Sequence, residues 1–153
     1  MVMTVGSRVF IDTNILVYAN LGQSPFHGYA VACLQELQDN NSSLYVNRQV
    51  LREYLAAMTR PGILTADIPV ASLVSDVRGF ESDLIVLDDG PMVTAKLLET
   101  MEQYSVAGKQ IHDANIVATM LAFEIPALLT HNISDFQRFM KIINIIPLLP
   151  TSE

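Results

Sequence analysis

Short apolar runs alternate with longer stretches of helical periodicity along this chain. That alternation confines it to an α/β fold with a mainly parallel sheet. The strand-like runs fall at residues 8–11, 44–46, 84–87, 127–130 and 142–146. Between them, apolar residues recur at helical spacing. A helix is predicted just after Asp12-Thr13-Asn14, through Ile15 to Tyr18, and others at 25–37, 69–80 and 111–123. Asn47 suits the cap of a helix running to Met58, with Val50, Leu51, Tyr54, Leu55 and Met58 as its apolar stripe, stopped by Arg60-Pro61-Gly62. Asp88-Asp89-Gly90-Pro91 opens a helix to about Tyr104, and Gly108 breaks the pattern before the next one.

No repeat, low-complexity tract or linker interrupts the 153 residues, so a single domain is expected over 1–153, with its core at about 8–146. Half the residues are apolar and 16% are charged, which excludes disorder. One cysteine, Cys33, excludes a disulfide scaffold, and on an apolar stripe it reads as core. The apolar stretch 142–150 is too short to span a bilayer, and residues 1–7 lack a basic segment followed by a long apolar core. A soluble cytoplasmic protein without membrane contact is expected. The net charge of −7 has the wrong sign for coating duplex nucleic acid by bulk electrostatics, yet is compatible with a nuclease whose acids are neutralised by metal. A mean hydropathy of +0.33 points to an apolar oligomer interface.

In open α/β sheets, ligands bind beyond the carboxyl ends of the strands. Four acids fall at such places. Asp12 ends the first run, where capping the next helix is its ordinary use. Glu53 sits at the boundary of an apolar stripe, although an exposed helix acid is the simpler reading. Asp113 lies in the first turn of a long helix, which suits the dipole, but so close to an apolar face an ionised carboxyl needs a partner or a metal. Asp135 follows the 127–130 run, where it also suits capping of a short helix that buries Phe136 and Phe139. Their conjunction on one sheet edge is more telling than any one of them. Like charges held close persist only with protons or cations between them. An all-oxygen site suits Mg²⁺ or Mn²⁺, ions that activate water and stabilise charge in phosphodiester hydrolysis.

Other chemistries lack their residues. His27, His112, His131 and the lone cysteine have no zinc spacing, and there is no P-loop, Gly-rich dinucleotide turn or Gly-x-Ser-x-Gly elbow. Asp12-Thr13-Asn14 lacks the second Asp of a haloacid-dehalogenase-like phosphatase. Asp88-Asp89 reads as a helix start, and His112 as a structural histidine.

Four segments in order carry a resemblance: Phe10-Ile11-Asp12-Thr13-Asn14-Ile15-Leu16, Gln49-Val50-Leu51-Arg52-Glu53-Tyr54, Lys109-Gln110-Ile111-His112-Asp113-Ala114 and Leu129-Thr130-His131-Asn132-Ile133-Ser134-Asp135-Phe136. Together they resemble the PIN domain, most of all the VapC-like toxins of bacterial toxin–antitoxin pairs. The resemblance implies a Rossmann-like α/β/α sandwich and a Mg²⁺- or Mn²⁺-dependent single-strand endoribonuclease. Asp12, Glu53 and Asp113 match the acidic triad, and Asp135 the more variable fourth acid. Thr13 and Asn14 match the polar pair after the first acid, and Thr130 and Asn132 the polar cluster near the site. A homodimer and a small antitoxin partner are implied as well.

Phosphate grip is expected from Arg48 and Arg52 on the Glu53 helix and from Lys109 beside Asp113. Arg8, Arg60, Arg78, Lys96, Arg138 and Lys141 read as solvated surface. The rivals are a catalytically silent PIN-like interaction module and a metal-dependent phosphoesterase or DNA nuclease.

Overall fold

The computed structural model describes residues 6–61 and 68–149. Gly62 of the expected helix stop and the ends of the predicted single domain lie outside these. The first strand, β1 (Arg8–Ile11), leads into α1 (Thr13–Ala19) and α2 (His27–Asp39). Next come β2 (Ser43–Asn47), α3 (Arg48–Met58), α4 (Val70–Asp83), β3 (Ile85–Leu87) and α5 (Pro91–Gln103). The chain continues through α6 (Gln110–Ala122), β4 (Ala127–Thr130), the short α7 (Ile133–Phe136) with a 3₁₀ turn at Gln137–Phe139, and β5 (Asn144–Pro147).

The five strands form one sheet in the order β3-β2-β1-β4-β5, and all four pairings are parallel. Parallel neighbours need crossovers, and helices fill them. Val9, Phe10 and Ile11 in the central strand are wholly buried, as are Leu128 and Leu129 beside them. Alternate residues of a strand point to opposite faces, so both faces of the sheet are covered. This is the expected α/β architecture.

Local chemistry sets the element boundaries. Asn47 caps α3 by accepting from the Val50 N–H at 2.9 Å, while its amide donates to Thr119 of α6 at 3.3 Å. Pro91 occupies the first turn of α5, and Gly108 enters α6 with φ +58°, a conformation glycine adopts without strain. Three boundaries differ from the sequence reading. The second helix begins at His27 rather than Pro25, because Ser24 first turns the chain: its hydroxyl accepts from the Phe26 N–H and its carbonyl from the His27 N–H. Leu84 closes α4 through its N–H to the Phe80 carbonyl, which leaves a strand of three residues. Ile142 and Ile143 both donate to the Phe139 carbonyl, so the apolar run there is a turn and pairing starts at Asn144. Among the described residues no helix is long and apolar enough to cross a membrane.

Candidate active site

The order places β1 at the point where the chain departs to β2 on one side and β4 on the other. Crevices form at such switch points, and Asp12 stands at the end of β1. It is only 6% exposed. Its Oδ1 caps α1 by accepting from the Thr13 N–H at 2.8 Å. Its Oδ2 accepts from Thr130 Oγ1 at 2.8 Å and Asn14 Nδ2 at 3.2 Å. The carboxyl that caps α1 is therefore also one that lines the crevice. The surroundings are themselves tied down. Asn14 accepts from the His131 N–H at 3.2 Å, and Thr130 Oγ1 from the Asn132 N–H at 3.0 Å.

Glu53 is held at both oxygens. Thr13 Oγ1 donates to one at 2.9 Å and Gln49 Nε2 to the other at 2.8 Å. Gln49 is nearly buried; it also donates to the His112 carbonyl at 2.9 Å and accepts from Asn115 Nδ2 at 2.9 Å. One amide thus locks α3 onto α6, the helix that carries Asp113. Sequence reasoning missed it, although Gln49 stands one helical turn before Glu53, the spacing at which side chains on a helix meet.

Asp113 differs from Asp12: among the described residues its carboxyl accepts no hydrogen bond. Burial, then Asp135, Asp12 and Glu53, push it up to about 7, against a lowering by Arg138. Burial pushes Asp12 up to about 6, with Glu53 adding to it, although hydrogen bonds from Thr130, Thr13 and Asn14 pull the other way. None of the four acids has an ion-pair partner among the described residues. The three of them that meet, Asp12, Glu53 and Asp113, line one open groove of about 410 Å³ with Thr13, Asn14 and Asn132. Thr130 is buried beneath it. Asp135 is exposed and does not line the groove; it reaches the site only through its charge on Asp113.

The cations are placed differently from expectation. Arg48 pairs with Glu81 at 3.1 Å and Asp88 at 3.2 Å, outside the groove. Arg52 and Lys109 are exposed and also absent from its lining. Arg60, expected on open surface, does line it. Arg8 is likewise no idle surface cation, since it donates to Tyr45 and to the carbonyls of Phe123 and Glu124. Tyr18 lines the groove too and packs with Phe26 and His131, ring centroids 4.4–5.7 Å apart. No sequence periodicity marks that cluster, because its members come from three separate segments.

A model of one protein family, the PIN domain, matches residues 9–141. The chain belongs to the PIN-domain family. PIN domains are in general divalent-metal-dependent nucleases, so membership supports a nucleic-acid hydrolase. No curated protein sequence matches the chain. Solved structures similar to it include DNA-bound VapBC from Salmonella typhimurium (17% identity, TM-score 0.67, covering 94% of this chain and 99% of that one). VapBC2 from Rickettsia felis, bound to a promoter DNA fragment, is 20% identical at a TM-score of 0.64, covering 92% and 98%. VapC20 from Mycobacterium tuberculosis, a toxin that cleaves the sarcin–ricin loop, is 16% identical at 0.59, covering 78% and 86%. At these identities the likeness shows a shared PIN fold.

The donors present fit a hard divalent cation. They are all oxygen, and two carboxyls held high by burial and mutual repulsion would be relieved by positive charge. No group of three His, Cys, Asp or Glu side chains among the described residues is arranged to hold an ion as it stands.

Proposed function

We propose that this PIN domain is a Mg²⁺- or Mn²⁺-dependent endoribonuclease that cuts single-stranded RNA, and that it is the toxin of a VapBC-like pair. One observation carries the reading: Asp12 and Asp113, both pushed up and neither paired with a base among the described residues, face the same groove as a fixed Glu53. Asp12 and Asp113 would hold the ion. When bound, it activates water and stabilises charge on the transferring phosphoryl group. Asp12 is pre-aimed by three donors, so little freedom is lost on loading. Glu53, fixed by Thr13 and Gln49, orients the attacking water. That water adds across one P–O bond of the backbone. Asp135 tunes Asp113 from outside the groove by its charge.

Two solved neighbours are VapBC assemblies and one is an RNA-cleaving toxin, which supports the choice of RNA and of a small antitoxin partner. A homodimer is part of the proposal. Helix α5 presents Leu98 and Met101, three residues apart and 56% and 41% exposed, an apolar pair that a second copy would cover.

The test uses protein stripped of any co-purified partner and a mixed RNA pool containing tRNA and rRNA. It is run with Mn²⁺, Mg²⁺ or EDTA, beside the Asp113→Asn protein. Discrete fragments that require metal and vanish in the variant establish the activity and reveal the target. A folded, metal-binding protein that cuts no RNA leaves the silent module or another phosphoester substrate, which competition with DNA and a small phosphate ester separates. Cleavage that persists in the variant overturns the site.

A further inference from the structure

We infer that Arg60 binds a backbone phosphate of the single-stranded substrate, next to the phosphate that reacts. The inference rests on the nuclease reading of the groove. Glu53, Ala56, Ala57 and Arg60 are spaced i, i+3, i+4 and i+7, and all four line the groove. They form one stripe that starts on α3 and runs past its end, where the Arg60 N–H still bonds the Ala57 carbonyl at 3.4 Å. Helical rise carries α3 about 7.5 Å along its axis from Glu53 to Met58, and Arg60 follows two residues beyond that end. Two alanines between them leave a low floor for a chain to cross.

Arg60 is the only basic residue among those lining the groove. It shares that space with three carboxylates, yet among the described residues it makes no ion pair with any acid. Arg48, by contrast, is held by two acids. A polyanion entering a groove of acids is repelled except where a cation receives it. A guanidinium presents a planar fork that matches phosphate, and no acid among the described residues pairs with it. The ion would serve the reacting phosphate at one end of the stripe, and Arg60 its neighbour at the other.

The experiment compares wild type, Arg60→Gln and Arg60→Lys, all checked for unchanged melting. Binding of a mixed-sequence single-stranded RNA 12-mer is measured in EDTA across a salt series, and cleavage of the same RNA in Mn²⁺. The inference predicts roughly ten-fold weaker binding for Arg60→Gln. The slope of log affinity on log salt should become shallower by about 0.7, the value of one single-strand phosphate contact. KM should rise more than kcat falls. Arg60→Lys regains the slope and part of the affinity, because it keeps the charge and loses the fork. Equal affinity, slope and KM in Arg60→Gln overturn the role of Arg60, while wild-type cleavage still upholds the nuclease. A wild type that neither binds nor cuts RNA overturns both.

Discussion

Asp12 makes the metal-free fold strain against its own charge, and the cost can be read from pH. Its carboxyl is 6% exposed and is moved from 3.8 to about 6. At about 1.4 kcal/mol per pH unit, ionising it in the fold costs about 3 kcal/mol. Below pH 3.8 both folded and unfolded chains hold the proton and nothing is lost. Between 3.8 and 6 the folded chain binds more protons, so stability falls as pH rises through that window and levels off above it. Roughly half of the 3 kcal/mol, about 1.4 kcal/mol, is regained on going from pH 7.5 to pH 5. The Asp12→Asn protein has no such group, and Asp113, which the Asp12 charge helps to raise, is eased with it, so the coupling moves the comparison in the same direction. The amide fits less well, because Thr130 and Asn14 both donate to Oδ2, at a cost of about 1–3 kcal/mol at every pH. In EDTA, the stability of wild type relative to the variant should therefore be greater at pH 5 than at pH 7.5. Asp12's own share of the change in the gap is about 1.4 kcal/mol, or roughly 3–6 °C in Tm for a chain of this size, and the easing of Asp113 adds to it. Circular-dichroism melts at the two pH values read it directly. A gap that stays constant to within a degree refutes a raised Asp12.

Mn²⁺ at about 100 times its Kd should raise the wild-type stability at pH 7.5 by about 2.7 kcal/mol and leave the Asp12→Asn protein nearly unmoved, in the same melts. Gln49→Ala releases Glu53 and separates α3 from α6; about 1–3 kcal/mol of stability in urea titration and about 10–100-fold in metal affinity or cleavage rate should go with it. Asn47→Ala removes the cap of α3 and the amide that donates to Thr119, which keeps its own bond to the Asn115 carbonyl, costing about 1–2 kcal/mol by the same titration with the groove intact. Replacing Asp135 by Asn lowers the pKa of Asp113, visible as an acid-ward shift of its carboxyl carbon titration by NMR.

A residue's placement was legible in the sequence where its local duty and its position in the groove arise from the same few neighbours. Asp12 ends a buried strand and caps a helix, and both signals lie within a few neighbouring residues. Asp113 in a first turn beside Ala114 is visible in the same way. Gln49 was not legible, since its importance comes from partners 63 and 66 residues away. The cations were read by proximity along the chain, which favoured Arg48, whereas ion pairs with Glu81 and Asp88 decide where its charge is spent. Arg60 gained its place from helical phase with Glu53, a relation present in the sequence but masked by the stop signal around it. The end of the chain misled for another reason. An apolar run reads as a strand, but the Phe139 carbonyl collects two N–H groups there and bends it.

Asp12 is in place early in the chain, yet the hydroxyl that aims it belongs to Thr130, 118 residues later, on a strand that must pair beside β1. At about 5–20 residues per second, a growing chain carries Asp12 for roughly 6–24 s before Thr130 exists. Nothing shorter than the strand pair β1–β4 can assemble the groove. The arrangement of strands therefore sets an order: Asp12 receives its Thr130 bond only once β4 has been made and has paired beside β1.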